Sequence, residues 1–201
     1  MNFLAHLVLA GDDDQLRLGA MLGDFIRGKR VLARYPDQIR KGIELHRHID
    51  RYTDDHPAVV SLRESFDKPF RRYSGIIIDV ALDHELTMRW ENYSEVTLEE
   101  FDRDVRDLLT RNQQWVPKGL NSFMAYADNR GLFASYRSEE EIIHSLRGIG
   151  RRFLRSNPLH RVDEIWAVYK PRFVTCFEEF FPQVQLDVRD WLNDRSTTSG
   201  L

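Results

Sequence analysis

Histidine and aspartate are concentrated in two short stretches of the sequence, residues 45–56 and 79–84. In a helix, side chains four positions apart lie on one face, so we expect His46 to project with Asp50, and Asp79 with Asp83. His48 is out of helical phase with Asp50 and is expected to point elsewhere. Imidazole and carboxylate groups are the ligands with which proteins hold a divalent metal against a phosphate. The spacing therefore predicts one metal site faced by both pairs.

A purely structural role is the alternative for these residues. Asp79 and Asp83 lie in the apolar segment 76–86, where a carboxylate needs a metal, an arginine or an exposed helix face. Under this alternative both line a solvated face, and His46 pairs with Asp50 as an ordinary surface contact.

The size and composition of the chain indicate one globular domain. With 201 residues and 42% hydrophobic residues, we predict a single domain over residues 1–193 and a mobile polar tail over 194–201. No signal peptide and no apolar run of about 18 residues are found, so no membrane partner is expected. Cys176 is the only cysteine, which excludes an intramolecular disulfide and fits a cytoplasmic location. The net charge of −3 argues against general nucleic-acid binding.

Apolar residues recur at helical spacing along most of the chain, and no alternating strand pair is found. The predicted helices cover residues 3–8, 16–25, 37–52, 74–90, 97–109, 138–153, 162–180 and 186–192, with a further segment beginning near residue 59. Thr97 and Ser138 each precede a glutamate by three positions, which predicts N-terminal capping boxes. The aromatic stripe in segment 162–180 is typical of a core-facing helix. We therefore predict an all-α fold, a single-domain helical bundle.

Two glycines in the second predicted helix are expected to bring another helix close. Gly19 and Gly23 lie one turn apart, and small residues at this spacing permit close approach of two helix backbones. Such an approach is expected to carry Asp24 into a crowded interior.

Four segments of the sequence resemble successive motifs of the acyl carrier protein phosphodiesterase family. These segments are Met1–Leu7 (MNFLAHL), Gly23–Gly28 (GDFIRG), Gly42–Asp50 (GIELHRHID) with Thr53-Asp54, and Asp79–His84 (DVALDH). Their order and spacing match too, and a weaker similarity continues through residues 132–136 and 142–152.

The resemblance implies a fold, an activity and a cofactor. The family resembles a distorted member of the HD phosphohydrolase superfamily, all-helical and dependent on a divalent cation, with Mn²⁺ preferred and Mg²⁺ or another divalent cation as alternatives. Its members hydrolyse the phosphodiester that joins 4′-phosphopantetheine to a serine of holo acyl carrier protein. This chain contains no His-Asp dipeptide and instead has Asp83-His84, the same pair in reversed order.

The matched motifs also imply a set of site residues. The expected metal ligands are Asp24, His46, Asp79, Asp83 and His84. Three further residues are expected to act in catalysis: Asp50 would orient His46 or activate water, His6 with Asn2 would donate to a phosphate oxygen or to the leaving serine, and Arg47 would bind the phosphate through its planar fork. For His6 and Asn2 the alternative is a hydrogen bond between two helices in the interior.

Acyl carrier protein is small and acidic, so the resemblance also implies a basic surface near the site. Arg27, Lys29 and Arg30, followed by Arg34, come directly after Asp24 and are the expected substrate-binding cations. A second row consists of Arg147, Arg151, Arg152 and Arg155. The alternative for both rows is a solvated helix face.

Two other functions are open from the sequence. One is an HD-type phosphohydrolase that acts on a nucleotide or an alarmone, because one fold and one metal chemistry serve many substrates. The other is a non-enzymatic helical module that binds an acidic carrier protein through its arginines.

Overall fold

The computed structural model describes residues 3–120 and 133–197, and within these ranges the chain is helical and has no β-strand. The α-helices are α1 (Phe3–Leu9), α2 (Asp14–Leu22), α3 (Lys29–Leu32), α4 (Asp37–Asp55), α5 (Pro57–Glu64), α6 (Ser74–Met88), α7 (Leu98–Arg111), α8 (Glu139–Arg151) and α9 (Asp163–Thr197). Short 3-10 helices lie at Phe70–Tyr73, Trp90–Asn92, Gln113–Trp115, Ala134–Arg137 and Pro158–Arg161. The buried apolar side chains form one continuous core. The predicted all-α fold is confirmed.

Helices α2 and α4 cross with their backbones in contact. A Cβ added to Gly19 would lie 2.1 Å from the carbonyl oxygen of Ile39, and one added to Gly42 would lie 2.3 Å from that of Leu16. No side chain larger than a hydrogen atom fits at either position. The predicted close approach at Gly19 is therefore confirmed, and Gly42 is its partner on α4.

Local signals set the ends of several helices. Helix α4 ends before His56, whose side chain accepts a hydrogen bond from the Ala58 N–H, and Pro57 occupies the first position of α5. Thr97 and Glu100 form the predicted capping box at the start of α7. Ser138 caps α8 by accepting a hydrogen bond from the N–H of Glu141.

Helix α6 positions three ionisable side chains inside the core. Its segment Ile76–Ile78 is β-branched, but the whole stretch is helical because apolar side chains are buried around most of its circumference. Asp83, His84 and Glu85 are buried within it.

Helix α9 is one continuous helix of 35 residues, where two separate helices were expected. Pro182 lies inside it, and a proline in a helix interior costs about 3 kcal/mol. The apolar stripe continues past Pro182 through the buried Val184 and Val188, which accounts for the unbroken helix. The stripe itself, Trp166, Tyr169, Phe173 and Phe177, is buried as predicted.

The last turn of α9 extends to Thr197, into the segment expected to be a tail. Residues 198–201 lie outside the described residues. Among the described helices, none combines the length and the apolar character needed to cross a lipid bilayer.

Candidate metal centre and active site

Three side chains from two helices converge on one point. His6 on α1 and His46 on α4 each approach the carboxylate of Asp50 to 3.1 Å, through Nε2 to Oδ1 and through Nε2 to Oδ2 respectively. The two imidazole rings are stacked with centroids 3.8 Å apart. One ligand atom from each residue lies within 4.8 Å of the other two, and no other such group of three is found among the described residues. We call this group the His6–His46–Asp50 cluster.

Backbone contacts orient His46 within the cluster. Its Nδ1 lies 2.8 Å from the carbonyl oxygen of Ala20, and because a carbonyl can only accept, Nδ1 carries the proton. Nε2 is thereby directed at the cluster. The ring also packs directly on Gly23, where an added Cβ would lie 2.1 Å from His46 Cγ. Gly23, which directly follows α2, therefore makes room for this imidazole.

Asp24 completes the site from the turn that follows α2. Its Oδ1 lies 3.4 Å from His46 Nε2, and its side chain is 60% exposed. The carboxylate is therefore at the rim of the site and not in the crowded interior expected from sequence. Arg47 donates a hydrogen bond of 2.7 Å to the carbonyl oxygen of Ile26, which fixes the backbone just after Asp24. Its expected contact with a phosphate stays a prediction.

The surroundings shift the pKa values of the two histidines in opposite directions. Burial, together with the nearby His46, lowers the pKa of His6 to about 4. Burial also acts to lower the pKa of His46, but hydrogen bonds and charge interactions with Asp24 and Asp50 outweigh it and raise this pKa to about 9.

Both carboxylates of the site are ionised at neutral pH. Burial acts to raise the pKa of Asp50, but its hydrogen bonds with His46 and His6 hold that pKa well below the usual range. The hydrogen bond with His46 lowers the pKa of Asp24 as well. At neutral pH the site therefore offers two carboxylates and a neutral His6 to a cation.

Asp83 lies outside the cluster, and its expected role as a metal ligand stays a prediction. Its side chain is fully buried, and its two oxygens accept hydrogen bonds from the backbone N–H groups of Leu4 at 3.0 Å and Ala5 at 3.3 Å. These contacts cap the first turn of α1. Asp83 thus holds the helix that carries His6.

His84 lies outside the cluster as well, and its expected role as a metal ligand stays a prediction. Its Nδ1 lies 2.6 Å from the carbonyl oxygen of Tyr136, and its ring meets Trp166 edge-on. Consecutive residues of a helix point about 100° apart, so Asp83 and His84 face different neighbours. Asp79, one turn before Asp83, is half-buried and outside the cluster.

The remaining predicted residues fall into three groups. His48 pairs with Asp187 and stacks on Trp191, so it points away from the cluster as predicted. Asn2 lies outside the described residues. Arg27, Lys29 and Arg30 are exposed at the start of α3, and they form no ion pair in the part of the chain that the structure describes.

One site residue has contacts that differ from its expected role, and one backbone contribution was missed from sequence. His6 was expected as a proton donor, but it lies at hydrogen-bonding distance from Asp50 and offers a ligand atom to the same point as His46. The carbonyl of Ala20 is a backbone group, so no residue type signals its role.

Fold and site together define an all-helical protein with a partly buried imidazole–carboxylate cluster of the kind found in metal-dependent hydrolases. The family model for acyl carrier protein phosphodiesterase matches residues 1–184. The chain belongs to the acyl carrier protein phosphodiesterase family and is a phosphodiesterase.

Several curated relatives carry the name acyl carrier protein phosphodiesterase. The one from Photorhabdus laumondii is 30% identical over 183 residues, which cover 90% of this chain and 92% of that protein. The relative from Yersinia pestis is 30% identical over 190 residues, covering 92% and 98%. That from Klebsiella pneumoniae is 32% identical over 185 residues, covering 92% and 95%. No solved structure matches this chain.

Proposed function

We propose that this chain uses a divalent metal, preferably Mn²⁺, to hydrolyse the phosphodiester between 4′-phosphopantetheine and a serine of holo acyl carrier protein. Water supplies a hydroxyl group to phosphorus and a proton to the serine oxygen, which gives apo carrier protein and free phosphopantetheine. The names of the relatives support the substrate. The observation that carries the metal proposal is the convergence of His6, His46 and Asp50 within 4.8 Å.

The donor set of the site fits such an ion. His6, His46 and Asp50 would hold the metal, with Asp24 as a further carboxylate at the rim. Mixed imidazole and carboxylate ligands suit Mn²⁺, whereas Mg²⁺ prefers oxygen ligands and retained water. A bound metal also requires a deprotonated imidazole nitrogen, so an ion would take the place of the proton on His46 Nε2.

The exposure of the two carboxylates supports access by a substrate as large as a protein. The side chains of Asp24 and Asp50 are 60% and 41% exposed, whereas His6 is fully buried and His46 nearly so. The histidines thus form the floor of the site and the carboxylates its rim. When bound, a divalent metal supplies charge neutralisation for the phosphodiester and lowers the pKa of water.

The protein residues have separate tasks in this reaction. The Ala20 carbonyl keeps His46 Nε2 directed at the site, and Arg47 fixes the turn that carries Asp24. The exposed cations Arg27, Lys29 and Arg30 follow this turn, so they lie beside the rim, where an acidic carrier protein presents its modified serine. Their lack of ion pairs within the described residues supports this contact.

Intact-mass measurement of holo acyl carrier protein tests the proposal. With Mn²⁺ and the enzyme, we expect the carrier protein to lose the mass of the whole phosphopantetheine group, and we expect chelation to stop the loss. An unchanged carrier mass alongside turnover of a nucleotide would contradict the proposed substrate. Full activity after exhaustive chelation would contradict the metal.

A further inference from the structure

Two loops that are distant in sequence meet on a strongly basic part of the surface. The Tyr73 ring contacts the Phe153 ring at a centroid distance of 5.9 Å, which joins the segment before α6 to the segment after α8. Exposed residues here include Arg71 and Arg72, Arg151 at the end of α8, and Phe153, Leu154 and Arg155. We call this group the loop surface.

One of the two segments of the loop surface is rich in arginine and poor in acids. Residues 142–162 contain five arginines and no aspartate or glutamate, in a chain whose net charge is −3. Two of the five, Arg147 and Arg161, pair with Asp163 and Glu164. Arg71, Arg72, Arg151 and Arg155 form no ion pair in the described ranges 3–120 and 133–197.

Apolar side chains project from the same surface. Leu154 is fully exposed and Phe153 is 43% exposed. Beside them is a concave region of about 270 Å³, lined by Arg151, Arg155 and His160 among others. Phenylalanine and arginine side chains together match the composition of protein–protein interfaces, in which aromatic residues and arginine are enriched.

The loop after α8 is held in place, so the exposure of Leu154 is a property of the folded loop. Asn157 Nδ2 donates to the Gly150 carbonyl oxygen at 2.8 Å, and Asn157 Oδ1 accepts from the Leu159 N–H at 3.2 Å. A Cβ on Gly150 would lie 2.7 Å from Asn157 Oδ1. The loop is therefore tied at both ends with Leu154 directed outward.

Helix α6 connects the loop surface to the part of the fold that holds the helix of His6. Helix α6 starts directly after Tyr73, and Asp83, which caps the helix of His6, is nine residues along α6 from Ser74. At 1.5 Å per residue this separation is about 14 Å. A domain of about 100 residues has a radius of gyration of about 13 Å, so it spans such a distance.

We propose that the loop surface docks the acidic carrier protein, with Arg71, Arg72, Arg151 and Arg155 facing its carboxylates and Leu154 entering an apolar depression on it. This inference rests on the proposed function for the identity of the partner. It adds a second contact to the one proposed for Arg27, Lys29 and Arg30. A lipid bilayer fits the loop surface less well than a protein does. One leucine and one half-exposed phenylalanine provide little apolar area for binding at a membrane interface.

The test compares two loop-surface variants with matched controls. Leu154→Ser and the double variant Arg151→Glu/Arg155→Glu are measured with holo carrier protein for KM, kcat and direct binding by calorimetry. We expect KM and the dissociation constant to rise about tenfold or more, with kcat within about twofold of the original. Val168→Ser replaces an exposed aliphatic side chain by serine elsewhere, and Arg103→Glu/Arg189→Glu makes the same double charge reversal at exposed helix positions, so both should leave KM unchanged. Melting temperatures establish that each variant is folded.

The outcomes separate this inference from the proposed function. Binding of holo carrier protein that is lost in the loop-surface variants supports the docking surface, even if the original chain fails to release phosphopantetheine. Unchanged KM and binding in folded loop-surface variants overturn it. The docking proposal is also overturned if these variants lose binding to anionic phospholipid vesicles while their binding to the carrier protein is unchanged.

Discussion

Asp83 is buried on α6, and both of its carboxylate oxygens accept hydrogen bonds from the first turn of α1. Burial raises the pKa of Asp83 to about 7, although the two backbone donors favour the ionised form. This residue has the chemistry of a metal ligand, but its contacts give it a structural task. It positions His6 by holding the start of the helix that carries it.

The raised pKa of Asp83 predicts a pH-dependent contribution to stability. In the unfolded chain this carboxyl group releases its proton near the ordinary aspartate pKa of 3.8, while the folded protein holds the proton up to about pH 7. The folded state thus binds more protons between these values, and the free energy of unfolding from this group falls as pH rises, by at most about 1.4 kcal/mol per pH unit. We expect the stability difference between the original chain and Asp83→Asn to shrink from pH 4.5 to pH 7 in urea denaturation.

The comparison with Asp83→Asn isolates this group, because all other titrating residues are shared by the two proteins. The asparagine cannot release a proton in this range, and it keeps one acceptor oxygen for the start of α1. A stability difference that stays constant between pH 4.5 and pH 7 would show that Asp83 does not titrate there.

Gly23, at the end of helix α2, leaves the space that the His46 ring occupies. Its backbone is helical, with φ −50° and ψ −43°, so alanine meets no backbone strain there. Its Cβ would nevertheless collide with the His46 ring, at 2.1 Å from Cγ. We expect Gly23→Ala to displace the imidazole and lower kcat/KM for holo carrier protein by about 100-fold, since misplacement of site groups by about 1 Å has effects of this size.

Gly75→Ala is the matched control for this substitution. Gly75 lies on α6, and an added Cβ there has no heavy atom within 4 Å. Replacing glycine by alanine in an unhindered helix stabilises it by about 0.5–1 kcal/mol. Full activity with a slightly raised melting temperature is expected for Gly75→Ala. Equal activity of both variants would contradict the role assigned to Gly23.

The elements of the fold were largely accessible from sequence, because their signals are local. Helical spacing, the Thr97 capping box and the break at Pro57 each depend on a few neighbouring residues, and all three occur in the structure. Helix α9 was divided wrongly at Pro182, since the apolar burial that carries the helix past this proline depends on tertiary packing.

Across the whole molecule, sequence predicted the contacts of the site only between residues that lie on one face of the same helix. His46 and Asp50 are four residues apart on α4, and they meet as the spacing predicts. Asp83 contacts a backbone 78 and 79 residues away, so its task depends on how α6 packs against α1 and has no local signal. The reversed Asp83-His84 pair resembled a superfamily motif, yet its two side chains face different neighbours.

The central claim is that His6, His46 and Asp50 form a divalent-metal site. Manganese titration followed by electron paramagnetic resonance tests it most directly, with His46→Ala compared against His48→Ala on the other face of α4. We expect the original chain and His48→Ala to bind Mn²⁺ with similar affinity, and His46→Ala to lose about 100-fold or more, since even residues behind a ligand contribute 10–100-fold. Equal Mn²⁺ affinity in all three proteins would contradict the claim.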